Sequence, residues 1–160
     1  MDKLDRLLLA LLQTDASRAH ADLAKLVNLS ASQVSRRVAR LEAEGYIRAT
    51  VALLSEAALG LQVEAYVAVA MASYAPEVVR GFHARISALD EVLDCRATTG
   101  DSDYLLRIVA RDLASYSKLM NEQLLGHGDV ASVRSSVVLD RIKHTTSLPL
   151  PPPNTSGREL

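Results

Sequence analysis

Leucines at positions 4, 7, 8, 11 and 12 recur at the i, i+3, i+4, i+7, i+8 spacing of one buried helical face, so the chain opens on an amphipathic helix. The polar run Thr14-Asp15-Ala16-Ser17 breaks that pattern. A second, shorter helix is expected over about Ala21 to Val27, burying Leu23, Leu26 and Val27. Ser30 and Gln33 have the spacing of a capping box, in which each side chain satisfies a free backbone N–H of the other, and this sets the start of a third helix. Val34, Val38 and Leu41 form its apolar stripe, and Gly45 supplies the left-handed residue that ends it. Only Asn28-Leu29 separates helices two and three. A tight turn between two short helices, with a third packed on them, is a helix-turn-helix unit, expected over residues 1–46 and winged-helix-like.

Beyond Gly45 the periodicity changes. Tyr46 to Leu54 is rich in β-formers and predicts a β linker over residues 47–61. Glu64 to Met71 then reads as a strand and Pro76 to Leu89 as a helix buried through Val79, Phe82, Ile86 and Leu89. Strands follow at Val92 to Thr98 and Asp103 to Ala110. A helix over Asp112 to Leu125, buried through Leu113, Tyr116, Met120 and Leu124, leads to a last strand over Val130 to Leu139. The order βαββαβ over residues 62–150 is a ferredoxin-like split βαβ, so the fold class is α+β with two domains. The proline-rich tail, residues 151–160, supports neither a ladder nor a helix and is expected to be disordered.

Composition narrows the function. A hydrophobic fraction of 49% is that of a globular protein, yet no stretch reaches the roughly 20 apolar residues of a membrane span. Leu7 to Leu12 is too short a run for a signal peptide, and Cys95, being alone, forms no internal disulfide; a cytoplasmic protein without a membrane partner is expected. The thiol reads as an inert small strand residue rather than a redox sensor activated by Arg96. His20, His83, His127 and His144 have no i+3 or i+4 relation to one another or to Cys95, so no metal site is expected. Neither a nucleophile–base pair nor a phosphate loop is visible, which argues against an enzyme or a cofactor.

A net charge of −1 does not suit a protein that coats nucleic acid by bulk electrostatics, but its distribution changes the picture. Ser30 to Leu41 holds Arg36, Arg37 and Arg40 with no acid. In a helix-turn-helix the second of the paired helices enters the major groove, and here the side away from Val34, Val38 and Leu41 carries short hydroxyls and arginines. The candidate DNA-contacting residues are Ser30, Ser32, Gln33, Ser35, Arg36, Arg37 and Arg40, with Arg36 suited to a guanine edge and Arg37 to phosphate. A second candidate site is the turn before the third strand of the α/β domain. There backbone groups and the carboxylates of Asp101 and Asp103 could hold an ammonium group, with the Thr98 and Thr99 hydroxyls and backbone N–H groups taking a carboxylate; Gly100 and Ser102 complete the candidate set.

Four segments, in order, resemble the Lrp/AsnC or feast/famine transcription regulators. They are Leu4-Asp5-Arg6 with its leucine-rich helix, Leu23-Ala24 through Ser30 to the run Arg36 to Gly45, Thr99 to Leu106, and Lys143 to Leu150. The resemblance implies a sequence-specific DNA-binding regulator of double-stranded DNA. Its C-terminal domain would dimerise through its sheet, build tetramers or octamers, and bind a small effector such as an amino acid. It also places that effector at residues 98–103. Three positions depart from the family pattern: Thr50 where an aromatic residue is common, Ser102 where tyrosine is usual, and Gly126 to Asp129 in place of Pro-Gly. Alternative readings are an architectural protein that compacts DNA and a small-ligand-binding ferredoxin-like protein that carries the helices as an appendage.

Overall fold

The structure, a computed structural model, describes residues 1–152, and the chain divides into two compact units. One holds Met1–Leu53 together with the segment from Lys143 onward; the other holds Leu54–Ile142. The segment from 143 returns to the helical unit, where Gln13 on the first helix both accepts from the Leu148 N–H (2.6 Å) and donates to its carbonyl (3.2 Å). Arg6 donates to the carbonyl of Leu150. From residue 153 on, the tail expected to be disordered lies outside the described residues.

The helical unit comprises α1 (Lys3–Thr14), α2 (His20–Val27) and α3 (Ala31–Ala43). Asp2 caps α1 in a capping box with Asp5, and Ser30 caps α3 in the box with Gln33 that the spacing predicts. Asn28 takes the left-handed conformation at φ 54°, and it turns the chain from α2 into α3. At the far end of α3, Gly45 has φ 77°, and the N–H groups of Gly45 and Tyr46 bond back to the carbonyls of Glu42 and Leu41. That is the Schellman arrangement, which needs a residue free of a Cβ penalty at the glycine position. Leu8, Leu23, Ala24, Val27, Val34 and Val38 close the core, with Leu41 also wholly buried. Each large member contributes about 1.5–3 kcal/mol of burial. Leu26, expected inside, is exposed, because α2 meets its neighbours through Leu23, Ala24 and Val27, one helical face centred a step away.

No strand or wing forms over residues 46–62 among the described residues. The β-rich linker is extended chain, with Val51, Leu53 and Leu54 each more than 70% exposed. β-propensity alone does not make a strand; the backbone N–H and C=O groups need a ladder partner, and within this chain the segment has none.

The α/β unit runs β1 (Val63–Met71), α4 (Pro76–Ser87), β2 (Val92–Ala97), β3 (Tyr104–Ala110), α5 (Leu113–Leu119) and β4 (Val130–Val137). Its four strands form one antiparallel sheet in the order β2-β3-β1-β4, the ferredoxin-like arrangement. Val63, Ala65, Val67, Val69 and Met71 of β1 point at the helices and pack with Phe82, Ile86, Leu106, Ile108, Tyr116, Met120 and Leu124. The helix expected to run unbroken to Leu125 is α only to Leu119, then widens to a π-helical turn over Met120–Leu125. It reaches the core from Tyr116 onward, so Leu113, expected inside, is 62% exposed. Gly126 follows immediately, and a Cβ there would lie 2.8 Å from the Asn121 carbonyl oxygen, so only glycine fits this exit. Val79 and Leu89 of the α4 region are half-buried rather than core.

Opposite the helices the sheet presents a bare face. Tyr66, Ala68 and Ala70 of β1 lie beside Leu105 and Arg107 of β3 and Ser132, Arg134 and Ser136 of β4. At one end of this face Arg107 bonds Glu64 at 2.6 Å and Glu56 at 2.8 Å, and Arg141 bonds both carboxylates again. Burial pushes the Glu64 carboxyl up, but hydrogen bonds and charge from Arg141 and Arg107 outweigh it and hold it below the usual 4.5. A carboxyl with a lowered folded-state pKa stabilises the fold above its unfolded value and loses that contribution as the pH falls. Glu64→Gln is therefore expected to lower the denaturant midpoint at neutral pH, with the gap to the parent protein closing as the pH drops below 4.5. A gap that stays constant through acid titration would show that the charge on Glu64 is not what stabilises this end of the sheet.

Candidate nucleic-acid interface and effector turn

Val34, Val38 and Leu41 turn inward on α3, which leaves Ser32, Ser35, Arg36 and Ala39 exposed across the opposite side. At the helix start Ser30, Ser32 and Gln33 bond to one another: the Ser30 hydroxyl accepts from the Gln33 N–H, and the Ser30 and Ser32 hydroxyls are 3.0 Å apart. The side chains of Ser35 and Arg36 have no hydrogen bond or ion pair among the described residues. A short-side-chain surface with one untethered guanidinium allows close approach to a duplex groove and bidentate bonding to a base edge.

The other two arginines are placed differently. Arg37 donates from one nitrogen to Asp5 at 2.6 Å and to Asp2 at 2.7 Å, and Arg40 donates to the second Asp5 oxygen at 2.6 Å. Arg40 also lies 3.7 Å from Glu44. Asp5 is 1% exposed, the one buried charged side chain among the described residues. The hydrogen bonds to Asp2 and Asp5 raise the Arg37 pKa further. Burial pushes the Asp2 carboxyl up, but the Asp5 N–H and Arg37 hold it below the carboxylate range. In the sequence Asp5 stands out only as part of the Leu4-Asp5-Arg6 segment. Asp2 and Asp5, three apart at a helix start, were the available signal for a cap, but nothing local points to their arginine partners.

In the α/β unit, residues 98–103 form the β2–β3 hairpin connection, with Gly100 at φ 126°, a conformation that side chains rarely adopt. Thr98 and Asp103 are engaged inside the structure. Asp103 accepts from the Met71 N–H at 2.7 Å and the Tyr74 hydroxyl at 2.9 Å, and the Thr98 hydroxyl donates to the Ser102 carbonyl at 2.8 Å. Their role is to pin the turn to the end of β1. Thr99 and Asp101 stay exposed, Ser102 is half-buried, and Asp101 is the carboxylate of the turn with no partner among the described residues. Close by in the fold, Tyr104 meets His83 at 2.8 Å and packs on Phe82 at a ring separation of 4.9 Å.

The loop 126–129 is held by a contact that no sequence pattern announced. Arg85 of α4 donates to the Gln123 carbonyl and to both Asp129 oxygens, at 2.8, 2.9 and 2.7 Å, and both ionic side chains are mostly buried. Cys95 is exposed in this chain, and burial of the sulfur with the nearby Asp94 charge pushes its thiol up. Arg96 pairs with Asp94 rather than with the sulfur, so the activated thiolate weighed against the inert reading has no electrostatic basis. Among the described residues no group of three or more His, Cys, Asp or Glu could hold a metal ion, and no helix is long and apolar enough to cross a membrane.

Comparison with known proteins agrees with both halves of this geometry. Residues 1–42 match the AsnC-type helix-turn-helix domain, and residues 64–148 the Lrp/AsnC ligand binding domain. The leucine-responsive regulatory protein of Escherichia coli K12 is 34% identical over 148 residues, spanning 92% of this chain and 90% of that protein. A transcriptional regulator of Neisseria meningitidis, solved as a complex with L-Met, superimposes with a TM-score of 0.89 at 38% identity, covering 93% of this chain and 96% of that one. An AsnC family transcriptional regulator from Agrobacterium tumefaciens gives a TM-score of 0.87 at 38% identity, with 93% and 97% covered. With a helix-turn-helix domain and a ligand-binding domain both matched, and a relative aligned over 92% of its length, this chain belongs to the Lrp/AsnC family of transcriptional regulators.

Proposed function

We propose that the protein reads a near-palindromic operator as a homodimer, with α3 of each copy in the major groove, and that an amino acid bound at the β2–β3 turn controls assembly into tetramers or octamers. The observation that carries this reading is the pair of unpartnered surfaces: the exposed Ser35, Arg36 and Ala39 side of α3, and the bare sheet face around Tyr66, Ala68 and Leu105. A two-fold dimer presents two copies of α3, and helix-turn-helix dimers read half-sites about one helical turn of DNA apart, roughly 34 Å. Arg36 reads a base, and Ser32 and Ser35 admit the helix to the groove. Regulation of this kind belongs to the cytoplasm, where the DNA is.

Amino-acid chemistry fits what the turn leaves available: an ammonium group for Asp101, and a carboxylate for the Thr99 hydroxyl and the backbone around Gly100. The N. meningitidis relative, solved with L-Met, supports this class of effector. A thermal-shift series over the amino acids, L-Met first, followed by sizing with each ligand that binds, tests it. Ligand at 100 times its Kd is expected to add about 2.7 kcal/mol of apparent stability. Asp101→Ala is expected to abolish both the shift and the change in assembly while leaving the dimer and its DNA affinity in place, since a ligand moves an equilibrium only through unequal affinity for its two sides. If Asp101→Ala responds as the parent protein does, the effector site lies elsewhere, and the Gly126 to Asp129 loop is the next place to look. An operator-to-unrelated affinity ratio close to one at physiological salt would instead favour a DNA-compacting role.

A further inference from the structure

Two of the three arginines on the recognition helix are neutralised from behind, by a residue of another helix. Asp5 takes Arg37 on one oxygen and Arg40 on the other, and its second oxygen also accepts the Asp2 N–H that closes the α1 cap. Asp2 adds a further carboxylate to Arg37. With Glu44 3.7 Å from Arg40, three acids face two arginines, and the cluster has no spare positive charge. Arg37 is 24% exposed at its side chain and Arg40 47%, so neither extends freely from the helix as Arg36 does.

We propose that Asp5 is a positioning residue for DNA recognition, one that withholds Arg37 and Arg40 from general phosphate binding and so keeps the discrimination between operator and bulk DNA on Arg36 and the serine face. Two physical effects follow from the geometry. Clamping positions i and i+3 of α3 to α1 fixes the rotation of α3 about its own axis, which aims Ser35, Arg36 and Ala39 outward. Binding to unrelated DNA comes almost wholly from cations meeting phosphates, so pairing two cations internally weakens that background without touching base readout. A buried, doubly bonded carboxylate is also a costly feature to keep for stability alone, since an apolar side chain in its place is often no worse. The proposal rests on α3 as the reading helix.

The test measures affinity against salt concentration for the full-length protein on two duplexes of equal length: one selected by the protein from a random pool, and one unrelated. Asp5→Asn removes the buried charge that the two arginines share and leaves Arg37 with the half-exposed Asp2 and Arg40 with the exposed Glu44. It is expected to steepen the salt slope on unrelated DNA by about 0.9 for each arginine released and to raise that affinity at low salt by roughly tenfold, so the operator-to-unrelated ratio falls. Asp2→Asn is the companion variant, because asparagine caps a helix as well as aspartate does and Asp2 is half-exposed, so folding is kept while Arg37 loses one partner. It is expected to steepen the slope by up to about 0.9. Adding Arg40→Gln to Asp5→Asn should return about one such unit. A purely structural Asp5 would lower both affinities with the slope unchanged, and an unchanged or shallower slope in Asp5→Asn and Asp2→Asn overturns the proposal. Arg36→Ala, run alongside, separates the premise: if it leaves the preference for the selected duplex intact, it is α3 as the reading helix that fails.

Discussion

If the proposed dimer forms through the bare sheet face, replacing Tyr66 with arginine is expected to convert it to a monomer, with the loss of most operator affinity. Tyr66 lies on β1, an inner strand of the bare sheet face, 43% exposed, flanked across the ladder by Arg107 and Ser136. A lone chain tolerates a charge there because the site is open to water. Between two copies it is not: the new guanidinium would be desolvated twice over, once from each protomer, next to an Arg107 whose counter-charges Glu56 and Glu64 are already matched. An unpaired buried charge costs several kcal/mol even after relaxation, and at about 1.4 kcal/mol per tenfold the dimerisation constant should weaken by more than 100-fold. Each monomer would then present a single α3, and the gain from engaging two half-sites at once would vanish. Sedimentation velocity at micromolar concentration reads the first effect and operator titration the second. A Tyr66→Arg protein that still sediments as a dimer places the interface on another surface.

Arg36→Ala is expected to lower operator affinity by about 5-fold to 150-fold, the span of about 1–3 kcal/mol for one bidentate base contact, and to relax preference at one base position. Folding and assembly should not change, since the side chain is exposed and bonded to nothing among the described residues. Arg37→Ala is a different experiment from the one the sequence suggests. It removes the partner of a buried carboxylate, so its first effect is on stability: breaking a buried pair from one side costs about 3–5 kcal/mol, reduced here because Arg40 still holds Asp5. A profile of bound sequences for Arg36→Ala that matches the parent's at every position would take that residue out of the reading surface.

The elements legible in the chain were those whose cause is local. The Ser30–Gln33 box and the Gly45 exit depend on atoms within four or five residues, and each stands in the structure as predicted; the leucine spacing of α1 predicts the helix, but on its stripe Leu7 is 42% exposed while Leu9, off it, is buried. The βαββαβ order was legible for the same reason, because period-2 and period-3.6 runs alternate along the chain. Where a helix faces was less so. Leu26 and Leu113 belong to apolar stripes yet are exposed, since a stripe gives the phase of a helix but not where along its length a neighbour begins. The linker shows the converse: residues 46–54 have the composition of a strand and remain unpaired, because a ladder is made by two segments.

The sequence by itself determined a three-helix reader, a ferredoxin-like partner domain and the family to which they belong, because these rest on short-range periodicity, caps and turn residues read in order. Only the tertiary structure decided which charges of α3 are available. Asp5 is 32 residues from Arg37 and 35 from Arg40, and Arg85 is 44 from Asp129. Pairings at such distances follow from how helices pack, and an arginine drawn to a buried carboxylate has the same one-letter code as one left free to read DNA.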